Sequence, residues 1–107
     1  MDPSGTCAVE LSGELTIRGI AEVRERMLEA LRSGERVVAQ VADDAVTDLT
    51  FVQLLEATRR SAEAKGQGFA LAAPASGSLL EVLRRGGFLS QTDPAANQFW
   101  LMQSEDI

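Results

Sequence analysis

Apolar and polar positions along this chain change period several times, and each period predicts a different element. Ile20, Val23, Met27 and Leu31 recur at helical spacing and predict an amphipathic helix over roughly residues 20–32. Charged residues occupy most of the intervening positions. This helix therefore has one apolar face that needs a core to pack against.

Strands are predicted where the helical period is lost. Arg36–Val41 and Phe69–Ala73 are almost continuously apolar, which is typical of buried strands. Two shorter segments, Cys7–Leu11 and Leu15–Ile17, have strand-like patterns and flank a turn at Ser12–Glu14, so the two can pair as a hairpin.

Two further helices follow, over roughly residues 49–65 and 79–85. Ser78 and Glu81 have capping-box spacing at the start of the shorter one. The apolar segment Phe99–Met102 is either a last strand or a docking segment. The longer helix has one apolar stripe at helical spacing, made of Phe51, Leu54, Leu55, Thr58 and Ala62.

The alternation of strands and helices predicts an α/β fold. We expect a single small domain over residues 1–107, with its core at about 7–103. The sheet is expected to be mixed and mostly parallel, with four to five strands joined by right-handed crossovers. Three helices with single apolar stripes suffice to cover one side of such a sheet.

Composition narrows the class of partner. The chain has 16 acidic against 10 basic residues and a formal net charge of −6, which disfavours nucleic acid and anionic membranes as partners. No apolar run approaches the ~20 residues that span a bilayer, and the first residues lack a signal-peptide pattern. We therefore expect a cytoplasmic protein without membrane insertion.

The usual catalytic and metal-binding groups are scarce. The chain contains no histidine, Cys7 is its only cysteine, and no glycine-rich phosphate loop is present. We expect no catalytic residue, no metal and no cofactor. The least favoured alternative is a small enzyme that uses Asp43, Asp44 and Asp48 as a carboxylate cluster, with a divalent cation.

The start of the second helix carries the most informative polar residues, Asp48 and Thr50. Asp48 is a good N-cap, and Thr50 with Gln53 offers capping-box spacing as the alternative. The free amides and the helix dipole at such a position also favour an added anion. Thr50 is therefore the candidate phosphorylation site.

Two apolar residues at the same helix start point to a partner. Leu49 and Val52 lie outside the predicted buried stripe, on the side of Gln53. Exposed apolar side chains can anchor another protein, although single apolar residues are also common on ordinary surfaces. We predict that Asp48, Leu49, Val52 and Gln53 bind the partner.

The order of these motifs resembles the STAS domain of sulfate transporters and anti-sigma factor antagonists. The resemblance rests on Leu11–Leu15, the strand at Val37–Val41 and the junction Asp48–Thr50, and covers roughly residues 8–90. It implies a non-enzymatic regulatory module that binds a protein. In the antagonist branch, Thr50 matches the hydroxyl phosphorylated by a serine/threonine kinase that is itself the anti-sigma factor.

Two positions depart from the antagonist motif: Leu49 replaces the first hydroxyl and Phe51 replaces a glycine. A threonine here also resembles the small STAS subunits of lipid-transporting ABC systems, which bind the ATPase. Stand-alone STAS proteins encoded near chemotaxis genes are a further alternative. The leading hypothesis is an antagonist-like regulator that docks through the start of the second helix, with Thr50 as its switch.

Overall fold

The computed structural model describes residues 5–89 and 94–102. The predicted domain limits at residues 1 and 107 lie outside these residues, so the boundary stays a prediction. The described residues form five strands and four helices, in the order β1 (Thr6–Leu11), β2 (Glu14–Leu15), α1 (Ile20–Arg32), β3 (Arg36–Val41), β4 (Val46–Thr47), α2 (Leu49–Ala64), β5 (Phe69–Leu71), α3 (Gly77–Arg85) and α4 (Pro94–Leu101).

The sheet confirms the predicted α/β class. Strands β1, β3 and β5 are neighbours in that order, with β3 at the centre and both pairs parallel. The register aligns Val9 with Ala39 and Ala39 with Leu71, so one buried row crosses all three strands. Helices α1 and α2 provide the crossovers between these strands.

The hairpin prediction for the first two strands is wrong. β2 pairs with β4 and not with β1, and this short ladder is also parallel. Two backbone bonds, from Ala42 N to Leu11 O and from Val46 N to Gly13 O, carry the β1–β3 ladder on into β2–β4. The turn after β1 therefore leads the chain along the same ladder and does not fold it back on itself.

The core lies between the inner face of the sheet and the helices. Side chains alternate along β1 and β3, so that Val9, Leu11, Val37 and Ala39 point inward while their neighbours face out. Pairing of the inner rows with the apolar stripes of the helices removes this surface from water. The largest fully buried side chains are Trp100, Phe51, Leu11, Met27, Leu55, Leu83, Val37 and Val52.

The last segment is a helix and not a strand. Residues Pro94–Leu101 form α4, with proline in the first turn, where its missing N–H has no intrahelical role. Trp100 is fully buried, and its Nε1 donates to Glu56 Oε2 of α2 at 2.9 Å. The predicted strand is wrong. The alternative of a docking segment is confirmed, because α4 packs on β5 and contacts α2 through Trp100 and Phe99.

Candidate functional site

The start of α2 is fixed by Asp48. The strand β4 delivers the chain to this residue in an extended conformation, with φ −138° and ψ −176°. Its Oδ1 accepts a hydrogen bond from Phe51 N at 3.2 Å, which makes Asp48 the N-cap and decides between the two capping alternatives. The Phe51 side chain is fully buried and anchors the first turn in the core.

The second oxygen of the same carboxylate binds a distant segment. Asp48 Oδ2 accepts a hydrogen bond from the backbone N–H of Ile17 at 3.0 Å. Ile17 belongs to the connection between β2 and α1. One carboxylate therefore ties two parts of the chain together. The bond to Ile17 N could not be predicted from the sequence, because residue spacing does not show which remote amide a carboxylate binds.

The residue before Asp48 is fixed from the other side by α3. Thr47 is buried, with 7% of its surface exposed, and its N–H donates to Ser78 Oγ at 3.0 Å. The two hydroxyls are also 3.1 Å apart. The predicted capping box is wrong, because Ser76 is the N-cap of α3 and the Ser78 hydroxyl is used on β4.

A glycine allows α3 to approach the loop that precedes β4. Gly77 has a φ of +54°, and a Cβ at this position would lie 2.8 Å from the carbonyl oxygen of Asp43. A side chain there would push the loop and the helix apart. Beside this contact, Ser76 Oγ donates to Asp43 Oδ1 at 3.1 Å.

Thr50 is the second residue of α2 and is half-buried. Within residues 5–89 and 94–102 its hydroxyl makes no hydrogen bond to another group. The amides of the first helical turn lack intrahelical acceptors, and the positive end of the helix dipole lies here. The hydroxyl is therefore at a position where an added anion is favoured by the helix.

Three exposed apolar side chains surround this helix start. Ile17 is 67% exposed, Val46 is 56% exposed and Leu49 is 47% exposed. Val46 lies two residues before Asp48, Leu49 follows it, and Ile17 is hydrogen-bonded to it. We call Ile17, Val46 and Leu49, together with Thr50 and the exposed Gln53, the docking surface.

Val52 corrects the prediction of partner-binding residues. It was expected beside Leu49 on the exposed side of α2, but it is 0% exposed, so its predicted role on the surface is wrong. The reason is that α2 contacts α1 and α3 as well as the sheet, so its buried arc is wider than one stripe. Leu54, assigned to the stripe, is only half-buried.

Ile17 and Val46 belong to the site but were not predicted from the sequence. The exposure of Val46 follows from the two-residue period of a strand. Thr47 points inward, so its neighbour Val46 points outward. The place of Ile17 in the site could be predicted only from the fold, because its segment is held there by the hydrogen bond to the Asp48 carboxylate.

Comparison with known proteins identifies the family. The family model described as "Mlab, STAS domain" matches residues 2–89. This chain belongs to the MlaB STAS family. It is also similar to the Bacillus cell fate determinant SpoIIAA in its phosphorylated form, with a TM-score of 0.56, 20% sequence identity, and coverage of 81% of this chain and 79% of that chain. At this identity the likeness shows a shared fold. No curated protein is significantly similar to the chain.

The acidic residues that the structure describes in this STAS domain do not gather into a metal site. In the described part of the chain, no three His, Cys, Asp or Glu side chains are placed to hold an ion. Asp48 uses both oxygens to fix backbone amides, and Asp43 accepts from Ser76. Asp43, Asp44 and Asp48 therefore do not form the cation-binding cluster that the enzyme alternative needed. None of the helices across residues 5–89 and 94–102 has the length and hydropathy to span a bilayer.

Proposed function

We propose that this STAS domain is a non-enzymatic regulatory module that binds a protein partner through the docking surface, in the manner of an anti-sigma factor antagonist, with Thr50 as a phosphorylation switch. The observation that carries the proposal is the placement of Ile17, Val46 and Leu49 around one capped helix start. The partner of this reading is a serine/threonine kinase that acts as the anti-sigma factor.

Burial of the three apolar side chains supplies the affinity. Fully removing a Leu, Ile or Val side chain from water is worth about 1.5–3 kcal/mol. The backbone beneath them is already fixed by two hydrogen bonds, one from Ile17 N to the Asp48 carboxylate and one from Thr47 N to the Ser78 hydroxyl. A surface fixed before binding loses little conformational entropy on association, so more of this energy appears as affinity.

Phosphorylation changes the charge of this surface. A phosphate on Thr50 carries about −1.5 to −2 charges near neutral pH. At roughly 6 Å its repulsion from the Asp48 carboxylate is about 1–5 kcal/mol, depending on the effective dielectric constant. Within the domain, the helix dipole at this end of α2 offsets part of that repulsion. A partner that buries Thr50 against apolar groups has no such compensation and dissociates.

The test measures binding to a candidate kinase by isothermal titration calorimetry. Wild type and Thr50→Ala are expected to bind, Thr50→Glu to lose at least tenfold in affinity, and Leu49→Asp to lose a similar amount. Met102→Asp is the matched control, because Met102 is 46% exposed, nearly the same as Leu49, and lies at the end of α4.

Two outcomes contradict the proposal. Equal binding by wild type, Thr50→Ala and Thr50→Glu refutes the switch. Equal binding by Leu49→Asp and Met102→Asp refutes the docking surface. Circular dichroism of each variant establishes that the fold is retained before affinities are compared.

A second candidate is favoured by the family model, whose description names Mlab and not an anti-sigma factor antagonist. In this reading the chain is the STAS subunit that binds the ATPase of a lipid-transporting ABC system. The same docking surface is used, but binding is constitutive. Mass spectrometry of the protein from its own cells separates the two, since only the switch predicts phosphate on Thr50.

A further inference from the structure

The docking surface is surrounded by acidic residues that the function proposed above does not use. Arg18 is the only basic residue within five positions of any of its members. The acidic residues in the same stretches are Glu14, Glu22, Asp43, Asp44, Asp48 and Glu56. Glu56 is already paired with Arg59 at 2.8 Å, whereas the others form no ion pair with a described group. The segments that carry the docking surface are therefore strongly acidic.

The carboxylate of Glu14 lies next to an apolar member of the docking surface. Glu14 and Val46 are paired in register across β2 and β4, and both are exposed. Paired residues in a ladder share a face, and the residues that follow them, Leu15 and Thr47, are both buried on the opposite face. The Thr16 hydroxyl donates to Glu14 Oε2 at 3.0 Å and restrains the carboxylate. A negative charge therefore stands at the edge of the apolar side chains.

Two more carboxylates precede Val46 in the chain. Asp43 and Asp44 lie in the connection between β3 and β4, and both are exposed. The Ser76 hydroxyl donates to Asp43 at 3.1 Å, and a neutral donor leaves the charge of this carboxylate in place. To the groups that the structure describes, Asp44 makes neither a hydrogen bond nor an ion pair. A protein that covers Val46 therefore meets negative charge both across the ladder and along the chain.

Little positive charge is supplied by the same elements. Arg18 is exposed in the connection between β2 and α1. In α2 the nearest arginine without an ion pair to a described group is Arg60, ten positions after Thr50 and about 15 Å along the helix axis. This exceeds the Debye length of roughly 10 Å at 0.1 M salt. In α3, which packs against β4, both arginines lie in the last turn. The acidic residues therefore set the sign of the potential over the docking surface.

We infer, on the basis of the proposed function, that the partner of the docking surface is basic: it covers the apolar side chains and places Lys or Arg against Glu14 and Asp44. Potentials of opposite sign steer two proteins together and raise the association rate, whereas an acidic partner would meet like charge around the contact. Charges at the rim act mainly on association. Thr50 lies within the contact, so a phosphate there acts mainly on dissociation.

The test is the binding kinetics of the kinase or ATPase that binds wild type, measured by biolayer interferometry at about 20 mM and about 500 mM NaCl. The association rate constant of wild type is expected to fall at least tenfold over this range, because the Debye length shortens from roughly 20 Å to about 4 Å. At the lower salt concentration, Glu14→Arg and Asp44→Arg are each expected to lower this constant at least threefold and to change the dissociation rate less than twofold. Thr50→Glu is expected to raise the dissociation rate instead.

Glu63→Arg is the matched control, with circular dichroism as the check that every variant is folded. It changes the net charge by the same amount as Glu14→Arg, and Glu63 is exposed near the end of α2, thirteen positions after Thr50 and about 20 Å along the axis. Its association rate should stay within about twofold of wild type. Glu14→Gln removes the charge but keeps an oxygen for the Thr16 hydroxyl, so it should slow association by a smaller factor than Glu14→Arg.

The basic partner is overturned by an association rate that does not fall with salt, by charge reversals that leave it unchanged or raise it, or by an equal effect of Glu63→Arg, which would assign the effect to net charge alone. Each of these results leaves the proposed function standing as long as Leu49→Asp still weakens binding. If Leu49→Asp binds like wild type, or if neither the kinase nor the ATPase binds, the proposed function fails and the basic partner fails with it.

Discussion

The two hydrogen bonds of Asp48 can be separated by two substitutions at the same position. Oδ1 caps α2 through Phe51 N, and Oδ2 binds Ile17 N. Alanine removes both acceptors. Asparagine keeps one side-chain oxygen and caps helices about as well as aspartate, but its amide nitrogen cannot accept a hydrogen bond.

The expected losses follow from this difference. Removing the N-cap costs about 1 kcal/mol of unfolding free energy. The bond from Ile17 N lies at an exposed site, where water replaces the lost acceptor, and contributes about 1 kcal/mol more. Asp48→Ala is therefore expected to lose about 2 kcal/mol, and Asp48→Asn about 1 kcal/mol. For a domain of this size, these correspond to decreases in melting temperature of roughly 10 °C and 5 °C.

Urea denaturation followed by circular dichroism measures both values, with Asp44→Ala as the control. Asp44 is exposed, and within residues 5–89 and 94–102 its carboxylate makes no hydrogen bond, so a change below about 0.5 kcal/mol is expected. The assigned role of Asp48 fails if Asp48→Ala is no less stable than the control. It also fails if Asp48→Asn is as destabilised as Asp48→Ala, because the two oxygens would then not have separate roles.

Three further substitutions test the packing beneath the docking surface, each against the same Asp44→Ala control by urea denaturation. Gly77→Ala is expected to lose about 1–3 kcal/mol of unfolding free energy, since its φ of +54° and the Asp43 carbonyl oxygen 2.8 Å from the new Cβ both oppose the substitution. Unchanged stability would mean that the loop shifts at no cost. Ser78→Ala should lose about 1–3 kcal/mol because the N–H of buried Thr47 loses its acceptor, and a neutral result would show that water replaces the hydroxyl. Leu55→Ala leaves a cavity at a fully buried position and should lose about 2–5 kcal/mol; a loss under 1 kcal/mol would contradict its place in the core.

The sequence was sufficient for the bounds of the longer elements. Helix α1 and strand β3 have the bounds predicted for them, and α2 ends one residue earlier than expected. In each of these segments most of the apolar residues pack into one continuous core, so local spacing and tertiary packing agree. The α/β class follows from their alternation.

The segments whose structure was predicted wrongly are short. Phe99–Met102 fits a strand or a helix equally well by composition, and the choice is made by tertiary contacts: Trp100 donates to Glu56, and its carbonyl accepts from Ala75 N. The pairing of β2 was also undetermined, because two residues form too short a pattern to specify a partner. Neither decision can be made from local spacing.

The candidate site was predicted in part for the same reason. Asp48 as a cap is a local property and was one of two alternatives derived from the sequence. Val52 was misplaced because α2 contacts α1 and α3 as well as the sheet, which widens its buried arc. Ile17 was missed because a backbone amide carries no signature of its partner. The chemistry of the junction could be predicted, but the outline of the surface around it could not.

The way in which the junction is held also bears on how a switch at Thr50 would work. Asp48 fixes the first turn to the β2–α1 connection, and Ser78 fixes the residue before it to α3. A rearrangement of this turn would break several hydrogen bonds at once, each worth about 1 kcal/mol. A phosphate on the outer side of the turn breaks none of them, because the hydroxyl of Thr50 holds no other described group.

We therefore expect the backbone to be the same with and without the phosphate. Amide chemical shifts of the Thr50→Glu variant should change only around the docking surface, and shifts that spread into β1 or β5 would mean that the switch acts through the fold and not through charge.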